Sequence, residues 1–301
     1  EIMVVTGVQT CALPIFIPII KSPLNWYGGK GSNSQRRVLN SILDKIEKSQ
    51  KKIMVDVFGG SGIVALNCTQ EIIVYNDKFE GLYNFFKTLR DSSTTEDLIK
   101  RLQLTPYCQQ EYINCTMKWV HQTDPVERAR GFYVATMQSF DALGSMNPNI
   151  KWRRSNNPKI CRRGMAQNVS AWLSKIDEVI PNIVERLRTF QITNEDALNC
   201  IDYWDSFDTV FYVDPPYVKN TRDCKNVYKN EYSDQDHSNL ITKLLNIKGS
   251  AIVSGYDSLL YEQLLQIPWE KEIIPDVTKM AGAKWSGGRI NRSKEIIWYK
   301  L

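Results

Sequence analysis

Asp214-Pro215-Pro216-Tyr217 is the stretch of this chain whose residue types could do chemistry on a small flat molecule. It closes the run Thr209-Val210-Phe211-Tyr212-Val213, whose β-branched and aromatic residues suit a buried strand. Neither proline has a backbone N–H to continue a ladder, so the strand is expected to stop there. Asp214 and Tyr217 then stand at a strand's carboxyl end, where open α/β sheets place their ligand sites. Pro215 adds a carbonyl on a stiff backbone beside the Asp214 carboxylate. Two fixed acceptors next to an aromatic face suit a heterocycle that carries an exocyclic amino group. A strand followed by a tight turn is the competing reading, because four-residue patterns recur by chance.

Three more stretches offer chemistry at a strand end or loop. Leu24-Asn25-Trp26-Tyr27-Gly28-Gly29-Lys30-Gly31 is a glycine-rich loop with two aromatics and a cation. It is not a phosphate-binding Walker loop, since Leu24 replaces the first glycine and Gly31 the hydroxyl residue after the lysine. Ile53-Met54-Val55-Asp56-Val57-Phe58 reads as a buried strand and Gly59-Gly60-Ser61-Gly62 as the turn after it. Strand, glycine turn and helix together bring backbone N–H groups near a ligand, although the spacing is not that of a dinucleotide fingerprint. A second strand, Ile72-Ile73-Val74-Tyr75, ends in Asn76-Asp77. An acid one βαβ step after the turn is placed to grip a ribose diol, and capping the next helix is its alternative role.

The elements that must hold these residues alternate. Helical periodicity marks Val38 to Ile46, and Val64-Ala65-Leu66 begins a helix after the turn. From about Leu82 to Ile183 the strand–helix alternation lapses. Helices are expected near Leu82 to Leu89 and Arg128 to Phe140, and a third from Val169, broken at Pro181. Turn clusters at Asn147-Pro148-Asn149 and Ser155-Asn156-Asn157-Pro158 bracket Lys151-Trp152-Arg153-Arg154, and Lys159 to Arg163 follows. From Lys151 to Arg163 there are six basic residues and no acid. A solvated loop is the bland account, and a phosphate-contacting hairpin carrying Lys151, Arg153, Arg154, Arg162 and Arg163 is the sharper one. Phe190-Gln191-Ile192, Ala251 to Gly255, Ile273-Ile274 and Glu295 to Tyr299 read as further strands. Ser233 reads as the cap of a helix through Leu245, with His237 at the surface beside its start.

Composition bounds the rest. Of 301 residues 43% are hydrophobic, ordinary for a globular chain with a full core, and a charge of +5 is too small to name a partner. Seven scattered cysteines without C-x-x-C spacing, and only two histidines, point to reduced thiols in a cytoplasm and to no metal site. Residues Val5 to Ile15 look like the in-frame translation of a sequencing adapter, so 1–20 read as a leader to be left out of fold reasoning. Its apolar tail is too short and too interrupted by proline to span a membrane.

Taken in order, Trp26-Tyr27-Gly28-Gly29-Lys30, Asp56-Val57-Phe58-Gly59-Gly60-Ser61-Gly62, Asp77 and Asp214-Pro215-Pro216-Tyr217 resemble the Dam-type (D12 class) DNA adenine-N6 methyltransferases. The resemblance runs from about Leu24 to the end of the chain. It implies a Rossmann-like α/β fold that uses S-adenosylmethionine, with a catalytic domain in 21–84 and 184–301. An inserted, mostly helical target-recognition subdomain would occupy 85–183. It implies that Trp26, Lys30, Asp56, Gly59 and Gly60 hold the cofactor, that Asp77 takes its ribose, and that Asp196 lies near its adenine. Asp214, Pro215, Pro216 and Tyr217 would be catalytic, acting without a metal on an adenine flipped out of double-stranded DNA. Cytosine-N4 enzymes more often carry Ser before the prolines and glutamine-N5 enzymes Asn, and a catalytically silent DNA-binding relative is the non-enzymatic alternative. No obligatory protein partner is evident, and the chain does not tell whether a restriction nuclease accompanies it.

Overall fold

The computed structural model describes residues 19–218, 231–278 and 292–301. Nine strands are described: β1 Ile53–Asp56, β2 Ile72–Asn76, β3 Cys161–Arg162, β4 Met165–Ala166, β5 Phe190–Thr193, β6 Thr209–Val213, β7 Ser250–Gly255, β8 Glu270–Thr278 and β9 Arg292–Lys300. Seven of them form one sheet in the order β5-β2-β1-β6-β7-β9-β8. The first five are mutually parallel, and β9 and β8 add antiparallel pairs at one side. The chain order reverses between β1 and β6, the switch point at which such sheets open a crevice at their carboxyl ends.

Strand composition explains the layering. Successive residues of a strand face opposite sides. In β6, Val210 and Tyr212 join the core on one face while Phe211 and Val213 join the core on the other. Met54 and Val55 in β1, and Ile252 and Val253 in β7, divide the same way. A strand buried on both faces needs apolar residues throughout, which is why Thr209–Val213 shows no polar alternation. One face is covered by α1 (Arg36–Lys48), the single-turn α2 (Ile63–Leu66) and the helices between β2 and β5. The other is covered by α9 (Ala197–Trp204) and α10 (Asp234–Leu245). Ser233 caps α10 in a capping box with Asp236, as its sequence predicts. Ile20, at the start of the described chain, already exchanges two hydrogen bonds with Asn67.

Between β2 and β5 the chain is helical apart from one small hairpin: α3 Glu80–Arg90, α4 Ser92–Gln103, α5 Gln109–Lys118, α6 Pro125–Met137, α7 Gln167–Ser174 and α8 Ile180–Arg188. Helices α4 and α5 were not expected. Helix α4 opens on Ser-Ser-Thr-Thr, and α5 buries only Tyr112, Cys115 and Thr116, so neither shows a long apolar stripe. Tertiary contacts hold α5 instead, with Arg130 of α6 paired to Glu111 at 2.6 Å. The break expected at Pro181 does not occur. A π turn over Lys175–Val179 joins α7 to α8, so Pro181 sits in the first turn of α8, where no N–H is needed. His237, expected at the surface, is fully buried with Nδ1 2.9 Å from the Tyr261 hydroxyl. It lies on the inward face of α10, among Leu240, Ile241 and Leu244.

No helix among the described residues is long and apolar enough to cross a membrane. The five described cysteines are free thiols. The sequence also suggests a flexible loop from Gly282 to Arg292 and a Lys-, Asn- and Tyr-rich segment from Lys219 to Tyr232, of which residues 282–291 and 219–230 lie outside the described residues.

Candidate active site

The carboxyl ends of β1, β2, β5, β6 and β7 converge on one cavity. It is lined by the glycine loop (Trp26 to Lys30), by Asp56 to Ser61 and by Asp77 to Phe79. Glu195 to Ala197, Asp214 to Tyr217 and Tyr256 complete it. Every residue the sequence assigned to catalysis or cofactor binding borders this space.

The glycine loop is a tight turn. The Gly29 amide donates to the Trp26 carbonyl at 3.0 Å, and Gly28 at φ +79° takes the position that a side chain disfavours. Half-buried Trp26 packs on Phe79 and Phe132, and its ring passes so near Gly60 that a Cβ there would lie 3.0 Å from it. A Cβ on Gly59 would sit 2.2 Å from the Tyr75 ring, so this position requires glycine. Three amides of the turn are already engaged. Gly59 N donates to Asn76 O, Gly60 N to Asp77 Oδ2 at 2.9 Å, and Gly62 N to Gly59 O. This corrects the expectation of free amides facing a ligand at a helix N-terminus, because α2 is one turn long and those three amides are spent on the protein itself.

What the cavity presents instead is acid. Asp77 accepts from Gly60 N and from Phe79 N at 2.8 Å, so it both fixes the turn and precedes α3. Burial, opposed by those two amides, pushes its pKa up to about 6. Asp56 is 1% exposed, and its Oδ1 has no hydrogen-bond partner among the described residues. Burial, then the charges of Asp214 and Asp77, hold its carboxyl well above the usual range. Glu195 also has a buried, unpartnered Oε2. Asp196 is committed elsewhere: it caps α9 through Leu198 N and pairs with Lys78 at 2.8 Å. On this side of the cavity Asp56 and Glu195 each carry a buried oxygen with no partner among the described residues.

At the end of β6 a second cluster forms. Lys30, 2% exposed, places Nζ 3.0 Å from Asp214 Oδ2, 3.2 Å from Glu295 Oε1 and 2.6 Å from the Tyr217 hydroxyl. Burial alone would lower its pKa, but the charges of Asp214 and Glu295 outweigh burial and raise it. Lys30 is thus aimed at the end of β6 rather than at the glycine turn. Ser254 at the end of β7 donates to Asp214 Oδ1 at 2.8 Å and contacts the Tyr212 hydroxyl at 3.0 Å. Tyr217 donates to Glu295 and meets the Tyr256 ring edge-on, centroids 4.6 Å apart. Pro215 is buried while Pro216 is half-exposed.

Sequence reasoning missed Glu295, Ser254, Tyr256 and Glu195. Glu295 alone left a signal, an acid heading the apolar run Ile296-Ile297-Trp298.

The basic run lies away from this cavity. Lys151, Arg153, Arg154, Arg162 and Arg163 are all exposed. The hairpin is smaller and later than expected: β3 and β4 pair Cys161 with Ala166 and Arg162 with Met165 around Arg163-Gly164. Lys151 to Lys159 is irregular, pinned where Trp152 bridges Ser139 and donates to Gln138 at 3.2 Å. The proline and asparagine clusters turn the chain before the hairpin rather than at its tip. Arg163 is ion-paired with Glu178. Trp172 is a buried packing residue, its ring tilted at 47° against Tyr133.

The chain is 25% identical over 240 residues to the modification methylase StsI of Streptococcus sanguinis, an alignment covering 75% of this chain. It spans 33% of that relative's length. The solved structure of a proposed RNA methyltransferase, PH1948 of Pyrococcus horikoshii, aligns over 92% of this chain and 86% of its own. With 9% identity and a TM-score of 0.40, that likeness is too distant to bear on function. The model of the D12 class N6 adenine-specific DNA methyltransferases matches residues 26–279. With the parallel sheet, the glycine turn and the Asp-Pro-Pro-Tyr strand end in place, the chain belongs to the D12 class N6 adenine-specific DNA methyltransferase family.

Proposed function

We propose that the chain transfers a methyl group from S-adenosylmethionine to N6 of an adenine extruded from double-stranded DNA. The observation that carries this is the end of β6, where Asp214 and the Pro215 backbone border the same cavity as the glycine turn. The adenine amino group is a weak nucleophile, because its lone pair is delocalised into the ring. Asp214 and the Pro215 carbonyl accept its two hydrogens and turn that lone pair out of conjugation. Asp214 also balances the positive charge that grows on N6 and takes up the released proton. Tyr217 offers the face on which the extruded base stacks. Holding the reactants in line supplies much of the rate, with no covalent intermediate on the protein.

The residues present fit the cofactor. Its sulfonium and amino groups are cationic, and the cavity offers Asp56 and Glu195 with unpartnered, buried oxygens. When bound it supplies an electrophilic methyl group. Asp77, with Trp26 beside the glycine turn, would hold its ribose and adenine end. Each Asp77 oxygen accepts one amide and keeps a second lone pair for a hydroxyl. Affinity for S-adenosylmethionine is therefore expected to fall as pH drops through about 6, because the carboxylate that accepts the ribose becomes protonated. Asp77→Ala should weaken binding roughly 10- to 100-fold, the loss of a charge-assisted hydrogen bond. Calorimetry from pH 5 to 8 checks both, and affinity flat with pH and unchanged in the variant returns Asp77 to a purely structural role.

We assign target recognition to the insertion at 85–183, with its exposed basic run against the DNA backbone. Each phosphate contact removed should flatten the slope of log affinity against log salt by about 0.9. Arg154→Ala and Arg162→Ala are expected to show this, and Arg163→Ala less, since Glu178 already neutralises it. A variant that instead relaxes the recognised sequence, at about 1–3 kcal/mol of discrimination, marks a base contact. If Arg153, Arg154, Arg162 and Arg163 can each be replaced without change, recognition lies elsewhere in the insertion or in the Lys219-to-Tyr232 segment. Expression in a methylation-free host, with modified bases mapped singly, tests the whole reading. N6-methyladenine at one sequence is the expected result, and N4-methylcytosine or unmodified DNA overturns it.

A further inference from the structure

Glu295 is a carboxylate where β9 enters the core. It is 1% exposed, and Ile296, Ile297 and Trp298 after it are fully buried. Ile296 pairs with Gly255, so Glu295 emerges at the edge where the parallel strands end. Taking a carboxylate out of water costs several kcal/mol unless its partners are well placed. The methyl transfer set out above makes no use of it.

Its partners explain the position. The Lys30 ammonium has three protons to share among Asp214, whose two oxygens lie at 3.0 and 3.1 Å, Glu295 at 3.2 Å, the Tyr217 hydroxyl at 2.6 Å and the Gly28 carbonyl at 3.4 Å. Glu295 thus takes a share of Lys30 that would otherwise close on Asp214. The Tyr217 hydroxyl accepts from Lys30 and donates its own proton to Glu295, which fixes its direction. With the Tyr256 ring packed at 76° to it, centroids 4.6 Å apart, the orientation of the Tyr217 ring is set from two sides.

We propose that Glu295 is a positioning residue for methyl transfer: it draws Lys30 partly off Asp214 and anchors Tyr217, so that the Asp214 carboxylate stays an open acceptor. The inference rests on the methyltransferase reading above and concerns how that site is kept poised. With Glu295 neutral, Lys30 closes further on Asp214, both of whose oxygens it already meets at 3.0 and 3.1 Å, and an acceptor more fully engaged by a cation holds an amino hydrogen less well. No proton or group is routed through Glu295.

Among the described residues the titratable groups facing Glu295 are Lys30 from the glycine loop, Asp214 and Tyr217 after β6, Tyr212 within β6 and Tyr256 after β7. Burial raises the Glu295 carboxyl above its ordinary range, Lys30 opposing, and burial also raises the three tyrosines, which stay neutral. As pH falls, Glu295 takes a proton and the wild-type site comes to resemble that of Glu295→Gln.

The test uses the full chain, duplex DNA and labelled S-adenosylmethionine. Glu295→Gln should lower kcat roughly 10- to 100-fold, the scale of a small misplacement of reacting groups, with cofactor affinity by calorimetry unchanged. The ratio of wild-type to variant kcat should be largest near neutral pH and shrink towards one as pH falls. Glu295→Asp, which keeps the charge but retracts it, should recover part of the rate. A Gln variant as fast as wild type, a ratio constant with pH, or an Asp variant no faster than Gln overturns the inference. Should the Gln variant fail to fold, Glu295→Asp is compared with wild type. A lowered kcat with intact cofactor affinity then supports the proposal, and an unchanged kcat overturns it. A wild-type chain that methylates no DNA overturns the methyltransferase reading and this inference together. An active wild type with an indifferent Glu295 overturns this inference alone.

Discussion

Asp214→Ala is expected to lose on the order of 100-fold or more in methyl transfer, the scale for one preorganised charged partner removed from a transition state. The loss has two sources. In the proposed reaction N6 becomes positive as the methyl group arrives, and Asp214 is the acidic side chain at the end of β6 that would meet it. Its carboxylate is also held in one orientation by Ser254 at 2.8 Å and by Lys30, so the acceptor needs no reorganisation during the reaction. The fold should survive, because Lys30 keeps Glu295 and Tyr217 as partners. Cofactor affinity should survive as well, since Asp77 and the glycine turn are untouched. Single-turnover methylation beside calorimetry separates these outcomes. Near-normal turnover sinks the mechanism, and a parallel loss of cofactor affinity moves Asp214 into the cofactor site.

Lys30→Ala should cost about 3–5 kcal/mol of stability, the usual result of removing one partner from a buried ion pair. The Lys30 side chain is 3% exposed, and those of Asp214 and Glu295 are 17% and 1% exposed. Without the ammonium, two carboxylates are left together in a poorly solvated space. The exposure of Asp214 places the expected loss towards the lower end of that range. The sign of the pH dependence follows. Glu295, raised by burial and no longer opposed by the Lys30 charge, keeps a folded-state pKa above its unfolded one, so the folded variant binds more protons as pH falls. The gap to wild type should therefore narrow on acidification through the window between those values and be fully present above it. Urea unfolding at several pH values measures this. A variant as stable as wild type at neutral pH shows that the cluster is solvated or already protonated. The activity lost in this variant should exceed that lost in Glu295→Gln, because Asp214 loses its fixed orientation along with its charge balance.

Much of the architecture was legible from local patterns. Five parallel strands could be read because each is a short apolar run ended by an acid, a glycine turn or proline. The α10 cap could be read from Ser233, because a capping box involves residues three apart. The misses share one cause. Helix α5 has no side-chain cap and a thin apolar face, and it is held by Arg130 and by packing on α6. The helix through Pro181 survives because a π turn absorbs the irregularity. His237 reads as a surface polar residue until the inward face of α10 and Tyr261 are known.

By itself the sequence determined which residues stand at strand ends. That property depends on backbone donors, β-branching and proline within a few positions, and it was enough to bring Asp56, Asp77 and Asp214 into view. Only the tertiary structure decided what these residues touch. Lys30 and Asp214 are 184 positions apart, and Tyr217 and Glu295 are 78 apart. Their meeting depends on β6 lying beside β1, and on β9 turning back along β7 in a register that delivers Glu295 to the carboxyl edge. A one-residue slip in that register would turn Glu295 to the other face of the sheet. Strand order and register are set by the packing of the whole core, so no local spacing could have announced that Lys30 serves two carboxylates at once.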